Sequence, residues 1–155
     1  MINKTIRINF KIGALKDLNL EDKMLVEKAR SSINSAYAPY SGFLVGASVL
    51  LDNGELICGS NQENVAFPSG LCAERVALFY AGANYPNEKI KTLCIVAKGN
   101  LLPISKVLSP CGACRQVMVE TERRQNEPYR VILVSQNNVT IIFDSASDLL
   151  PLAFG

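Results

Sequence analysis

The residues 90–99, IKTLCIVAKG, contain a run from Leu93 to Ala97 with no polar side chain. In a strand, successive side chains point to opposite faces, so this segment is apolar on both. Such a strand belongs inside a sheet covered by helices on each side. The flanking sequence supplies those helices. PSGLCAERVALFYAGA precedes it, with Ala73, Ala77, Leu78 and Ala81 on one close-packing face, and CGACRQVMVETERR follows. The alternation of helix and strand predicts a layered α/β domain.

The rest of the chain fits this plan. Ile6, Ile8, Phe10 and Ile12 alternate with polar residues and predict a half-buried first strand. Asn19 is placed to cap a helix carrying Leu25, Ala29, Ile33 and Ala36, with Asp22 as a weaker stand-in for the usual capping-box Glu. That helix stops before APYSGF, where Pro39 restricts Ala38. Two β-rich runs flank Asp52-Asn53-Gly54, a strong hairpin signal. YRVILVSQ and VTIIFD add two strands separated by Asn137-Asn138, and Ser145 to Leu150 suits a short last helix. No domain boundary, internal repeat or low-complexity segment interrupts the 155 residues.

Composition narrows the function classes. The net charge is only +2, with no clustered basic surface and no Trp, which argues against nucleic acid as a partner. Arg123-Arg124, flanked by Glu120, Glu122 and Glu127, reads as a solvated helix end. No apolar stretch is long enough to span a membrane, and MINKTIRINF lacks the core of a signal peptide. Five cysteines are too few for a disulfide scaffold of this length, so a reducing, cytoplasmic setting is expected.

Cys111 and Cys114 sit at the expected start of a helix, where unpaired N–H groups and the helix dipole favour thiolates. That placement alone leaves zinc, a redox pair or core packing open. Cys72 lies near the start of another helix, followed two residues later by Glu74. Two helix N-termini facing each other would converge three thiolates on one metal, the ligand count of a catalytic zinc with an open fourth position. A closed four-cysteine structural site would have to recruit Cys58 or Cys94, both inside apolar predicted strands. Cys72-Ala73-Glu74 with Pro110-Cys111-Gly112-Ala113-Cys114 fits the zinc-deaminase signature with Cys in the first ligand position. The chain has no histidine, which excludes a histidine ligand or base.

These segments, with AYAPYSGFLVGASVL, GSNQENVAFPSGLCAERVAL, LSPCGACRQVM and the terminal LLPLAFG, resemble small homotetrameric cytidine deaminases of nucleoside salvage. The resemblance covers roughly residues 36–155. It implies a three-layer α/β/α fold with a mixed five-stranded sheet and a homotetramer with composite sites; the chain length and the lack of a boundary make a single deaminase domain over 1–155 the expectation. It also implies one Zn²⁺ per subunit on Cys72, Cys111 and Cys114, and Glu74 as proton carrier. The implied substrate is a free nucleoside, cytidine or deoxycytidine. Phe43 would pack near the pyrimidine and ribose, Asn61 and Glu63 would bind ribose hydroxyls, and the Ala73 N–H would hold the pyrimidine carbonyl. Phe154 would stack on the base in a neighbouring subunit.

The polar residues agree with that picture on physical grounds. Glu63 beside a neutral sugar would repel a phosphate, which argues against a phosphorylated substrate. Three thiolates leave a zinc site with net negative charge, and Arg75, one residue after Glu74, is placed to donate to a ligand sulfur and drain that density. Arg115 competes for that role or serves the surface. The sequence departs from the family at Phe43-Leu44-Val45-Gly46 (usually Phe-Pro-Val-Gly), at Phe67 in place of a pocket tyrosine, and in a longer connection around NYPNEK and GNLLPIS. Competing readings are a deaminase of another aminated nucleoside-like compound and a zinc-stabilised module without activity.

Overall fold

Asn19 opens the first helix as its sequence position predicts: its Oδ1 accepts the Asp22 N–H at 2.8 Å. The computed structural model describes all residues from Met1 to Gly155 except Leu102 and Ser105. The long connection expected around Gly99–Ser105 therefore falls partly outside the described residues. The elements run β1 (Lys11–Ala14), α1 (Leu20–Ser32), β2 (Leu44–Leu51), β3 (Leu56–Ser60), α2 (Ala73–Asn84), β4 (Ile90–Lys98), α3 (Gly112–Gln125), β5 (Arg130–Val134) and β6 (Val139–Phe143). A final 3₁₀ turn, Ala146–Leu149, takes the place of the short last helix.

Among the described residues the strands form one sheet in the order β1-β6-β5-β4-β2-β3. The five strands implied by the family resemblance are corrected to six. At one edge β1 pairs antiparallel with β6 through Lys11↔Ile142 to Ala14↔Val139. It is also shorter than its sequence pattern suggests. Residues 1–10 form no ladder, and Ile6, Ile8 and Phe10 stay exposed, although Phe10 stacks on Phe143. Alternation alone could not say where pairing would begin, because only the residues that reach β6 gain hydrogen bonds.

The central strand behaves as expected. Leu93, Ile95 and Ala97 of β4 enter one core with Ala77, Leu78 and Met118 of the α2/α3 layer. Cys94 and Val96 enter the other, with Leu25, Val26 and Ala29 of α1. This gives three layers, α1 on one face and α2 with α3 on the other. Gly46 permits the close seat of α1, because a Cβ there would lie 2.0 Å from the Ala29 carbonyl oxygen.

Two charged residues hold this frame in ways the sequence did not announce. The Asp22 carboxylate is buried and receives both Nη1 and Nη2 of Arg130, at 3.0 and 2.8 Å, instead of completing a capping box. Glu122, expected on a solvated helix end, is buried and accepts from Ser145 Oγ and Ala146 N, both at 2.7 Å, so it caps the last 3₁₀ turn.

The topology creates one functional edge. β2 is antiparallel to both β3 and β4, and β4 is parallel to β5, so β3, β4 and β5 all point the same way. Helix α2 joins β3 to β4, and α3 joins β4 to β5, on the same face. Both helices therefore begin beyond the carboxyl ends of the parallel strands, the usual binding edge of such sheets.

Candidate active site

Cys72 and Cys111 occupy equivalent positions, each in extended backbone immediately before α2 and α3 respectively. Cys114 follows in the first turn of α3. The Sγ atoms of Cys72, Cys111 and Cys114 all lie within 4.8 Å of one another. Cys111 and Cys114 are 3.3 Å apart, Sγ to Sγ. Among the described residues, no other group of three potential ligands comes together in this way. Cys58 and Cys94 cannot supply a fourth sulfur: Cys58 Sγ lies against the Lys28 carbonyl of α1, and Cys94 is in the core beneath α1. The sheet separates them from the other three.

The donor set fits zinc. Three soft sulfurs gathered at two helix N-termini match the tetrahedral, thiolate-rich preference of that ion and leave one position for a small ligand. Cys72 is held at about 5, first by the hydrogen bond from the Cys114 thiol and then by the Arg75 guanidinium. Cys114 is pushed upward because its proton is shared with the Cys72 sulfur. A cation at the centre would remove that competition and favour all three thiolates.

Glu74 stands directly beside the sulfurs. It is only 4% exposed, and its Oε2 has no hydrogen-bond partner among the described residues. Burial pushes its carboxyl upward, and charge on Cys72 acts in the same direction. A buried carboxyl with an unmatched oxygen is costly to leave so, and it marks a place where a proton or a ligand completes the site. Arg75 turns back across the helix end. Its Nη2 donates to the Gly70 carbonyl at 3.2 Å and lies 3.8 Å from Cys72 Sγ, while Nε is buried with no partner among the described residues.

A cleft of about 830 Å³ opens over this centre. Its floor includes Val45, Leu71, Ile95 and Leu108, and Phe43, Asn61, Glu63, Cys72, Glu74, Arg75 and Cys111 line it. Its size lies within the range of small-molecule sites. Asn61 braces the wall: its Oδ1 accepts Val45 N–H at 2.8 Å and its Nδ2 donates to Phe43 O at 2.9 Å. Glu63 holds the rim, accepting Tyr40 N–H at 2.9 Å and Ser41 Oγ–H at 2.5 Å. Ala73, first residue of α2, is fully buried. Its amide has no carbonyl four residues upstream within the helix to bond to. Phe154 is not brought to this cleft. It is 88% exposed on the outer face of α3, where Gln116 and Arg123 donate to its carbonyl.

The profile described as the cytidine and deoxycytidylate deaminase zinc-binding region matches residues 20–126. The chain belongs to this deaminase family. A cytidine deaminase of Halalkalibacterium halodurans is 36% identical over 135 residues, which span 87% of this chain and 95% of that protein. The fold is similar to the crystal structure of cytidine deaminase from Burkholderia pseudomallei, with a TM-score of 0.70, 37% identity, and coverage of 85% of this chain and 98% of that one. The Mycobacterium tuberculosis cytidine deaminase gives 0.66 and 31%, covering 88% and 99%. This deaminase thus carries the zinc-binding motif of its family on Cys72, Cys111 and Cys114.

Sequence reasoning named Glu63 but missed what holds it, and it missed the loop clamps of this deaminase. Tyr40 and Ser41 hold Glu63 through backbone and hydroxyl groups, a role that the segment AYAPYSGFLVGASVL does not reveal. Arg115, weighed as a competitor of Arg75, instead donates to Pro110 O, Leu149 O and Ser109 Oγ. The Leu149 contact links residues 34 positions apart, which no local pattern encodes. No helix among the described residues is long and apolar enough to cross a membrane.

Proposed function

We propose that this chain hydrolyses free cytidine and deoxycytidine to uridine and deoxyuridine with release of ammonia. The observation that carries the reading is the buried Glu74 carboxyl, whose Oε2 has no partner among the described residues, beside three converging thiols in one cleft. Cys72, Cys111 and Cys114 would hold one zinc ion per subunit. Bound zinc is a Lewis acid that makes a water molecule a competent nucleophile at neutral pH.

The remaining chemistry falls to the chain. Glu74 accepts the proton of the attacking water at its free Oε2 and delivers it to N3 of the pyrimidine as the C4–O bond forms. It then takes the remaining proton from the added C4 hydroxyl and delivers it to the amino group; the C4–N bond breaks, the C4 carbonyl forms, and ammonia leaves. Burial and the neighbouring Cys72 charge raise the proton affinity of Glu74, which suits a group that must take a proton and then give it up. Arg75 steadies the Cys72 sulfur as a thiolate. The Ala73 N–H faces no helix acceptor and suits the pyrimidine carbonyl.

Phe43 would pack against the base and sugar, with Asn61 and Glu63 toward the ribose hydroxyls. The carboxylate of Glu63 on the rim disfavours a phosphate there. That favours nucleosides over nucleotides. A homotetramer with composite sites is supported by Phe154, whose ring projects away from its own cleft while its backbone is fixed to α3. Free thiols at all five cysteines, including exposed Cys58, are in keeping with a cytoplasmic setting.

Ultraviolet-monitored deamination of cytidine and deoxycytidine by purified, metal-analysed protein tests the reading. Turnover that rises with zinc content is expected. A zinc-loaded protein inert toward both nucleosides would refute it.

A further inference from the structure

We propose that Arg115 is a positioning residue of the metal centre, clamping the segment before Cys111 onto the C-terminal turn so that zinc retention depends on that turn. The inference rests on the reading of Cys111 as a zinc ligand.

Every nitrogen of the Arg115 guanidinium is used. Nε donates to Pro110 O at 2.9 Å, Nη2 to Ser109 Oγ at 2.7 Å, and Nη1 to Leu149 O at 2.9 Å. Two of these bonds hold the residues directly before Cys111. The third reaches the end of the 3₁₀ turn Ala146–Leu149. A planar, rigid fork is suited to fixing three acceptors at once, which an ammonium on a flexible stem is not.

The turn that receives Nη1 is itself anchored from the same helix. Two helical turns beyond Arg115, Glu122 accepts from Ser145 Oγ and Ala146 N at 2.7 Å, and from Ser147 Oγ at 2.5 Å. Glu122 therefore grips the start of the turn and Arg115 its end. Leu149 and Ala146 are buried in the main core, which fixes the turn against the sheet. Cys111 itself is exposed, and its backbone lies outside the helix. On its N-terminal side the loop is held by Leu108 N donating to Ser135 Oγ at 3.0 Å and by the two Arg115 bonds. Removing the fork would leave Cys111 free to swing away from Cys72 and Cys114.

The test follows zinc release from the loaded, full-length protein into a chromophoric chelator. Arg115→Met, Arg115→Lys and Glu122→Gln are compared with wild type, with melting temperature measured in parallel. Asp22→Asn, on the opposite face of the sheet, is the control for general destabilisation. Arg115→Met is expected to release zinc about 10- to 100-fold faster, the usual range when a ligand loses its orienting partner. Arg115→Lys should be only partly restored, and Glu122→Gln should accelerate release in the same direction. Adding Glu122→Gln to Arg115→Met should add little, because both act through one turn.

Release from Arg115→Met within twofold of wild type would overturn the proposal. So would acceleration that Asp22→Asn reproduces at an equal loss of melting temperature. Cys111→Ser separates the underlying reading: if it retains zinc as wild type does, Cys111 is not a ligand and both readings fall. If Cys111→Ser loses zinc while Arg115→Met does not, only the clamp is wrong.

Discussion

Gly59 of β3 lies so close to Ala73 at the start of α2 that a Cβ in its place would sit 2.5 Å from the Ala73 carbonyl oxygen and 2.8 Å from Ala77 N. Both neighbours are backbone atoms and cannot move without shifting the helix. The helix end that presents Cys72, Glu74 and Arg75 is therefore seated directly on the strand. Gly59→Ala should lower unfolding free energy by about 2 kcal/mol, as overpacking does. It should also reduce zinc content, because Cys72 is carried with α2. Chemical denaturation and metal analysis of the purified variant check both. Full zinc occupancy with wild-type stability would show that the seat is less tight than described.

Glu74→Gln keeps the shape of the side chain and removes its ability to exchange a proton. Zinc content and melting temperature should remain near wild type, while kcat for cytidine falls by about 10²- to 10⁴-fold, the range assigned to a positioned acid–base group. Stopped assays on metal-quantified protein measure this. A rate within threefold of wild type would remove Glu74 from proton transfer.

The rim carries a pH signature. Glu63 is held below its ordinary carboxyl range, chiefly by the Ser41 hydroxyl and then by the Tyr40 amide. A depressed folded-state value means the contribution is present above the unfolded value and disappears as pH falls through the folded one. The segment from Tyr37 to Phe43 should thus stay ordered at neutral pH and loosen only below about pH 4. Ser41→Ala should move that loosening to higher pH. Hydrogen exchange of the Tyr40 and Ser41 amides across pH reads it directly, and an unchanged profile in Ser41→Ala would contradict the clasp.

Phe154→Ala tests the composite site. The ring is exposed in its own chain, so its loss should leave melting of the isolated fold unchanged. If it stacks on base in a neighbour, KM for cytidine should rise about 3- to 10-fold, in line with one lost aromatic contact. Sedimentation of the variant shows whether assembly is retained. An unaltered KM would place the ring outside substrate binding.

Much of the architecture is legible in the sequence. The two-faced apolar run in β4, the Asn19 cap, the hairpin at Asn53-Gly54 and the position of α2 and α3 all follow from local chemistry. Asn19 needs only Asp22 N three residues on, and Gly54 supplies the positive φ its turn requires. The first strand was less legible. Ile6 to Phe10 alternate as a strand should, but without a partner beside them the pattern stays unpaired and exposed.

The sequence by itself determined which groups can do the chemistry: three thiols, one carboxyl and no histidine, at spacings that start helices. That is local information, carried by residue type and by turns a few residues long. Only the tertiary structure decided that two helix starts, 39 residues apart from Cys72 to Cys111, meet within thiol reach. That meeting depends on parallel β3, β4 and β5 and on Gly59 admitting α2. The same holds for Arg115 bonding Leu149 and for Glu122 burying its charge against Ser145 and Ser147. Such bonds join segments remote in sequence, and their strength depends on a desolvated surrounding that exists only once the chain has packed.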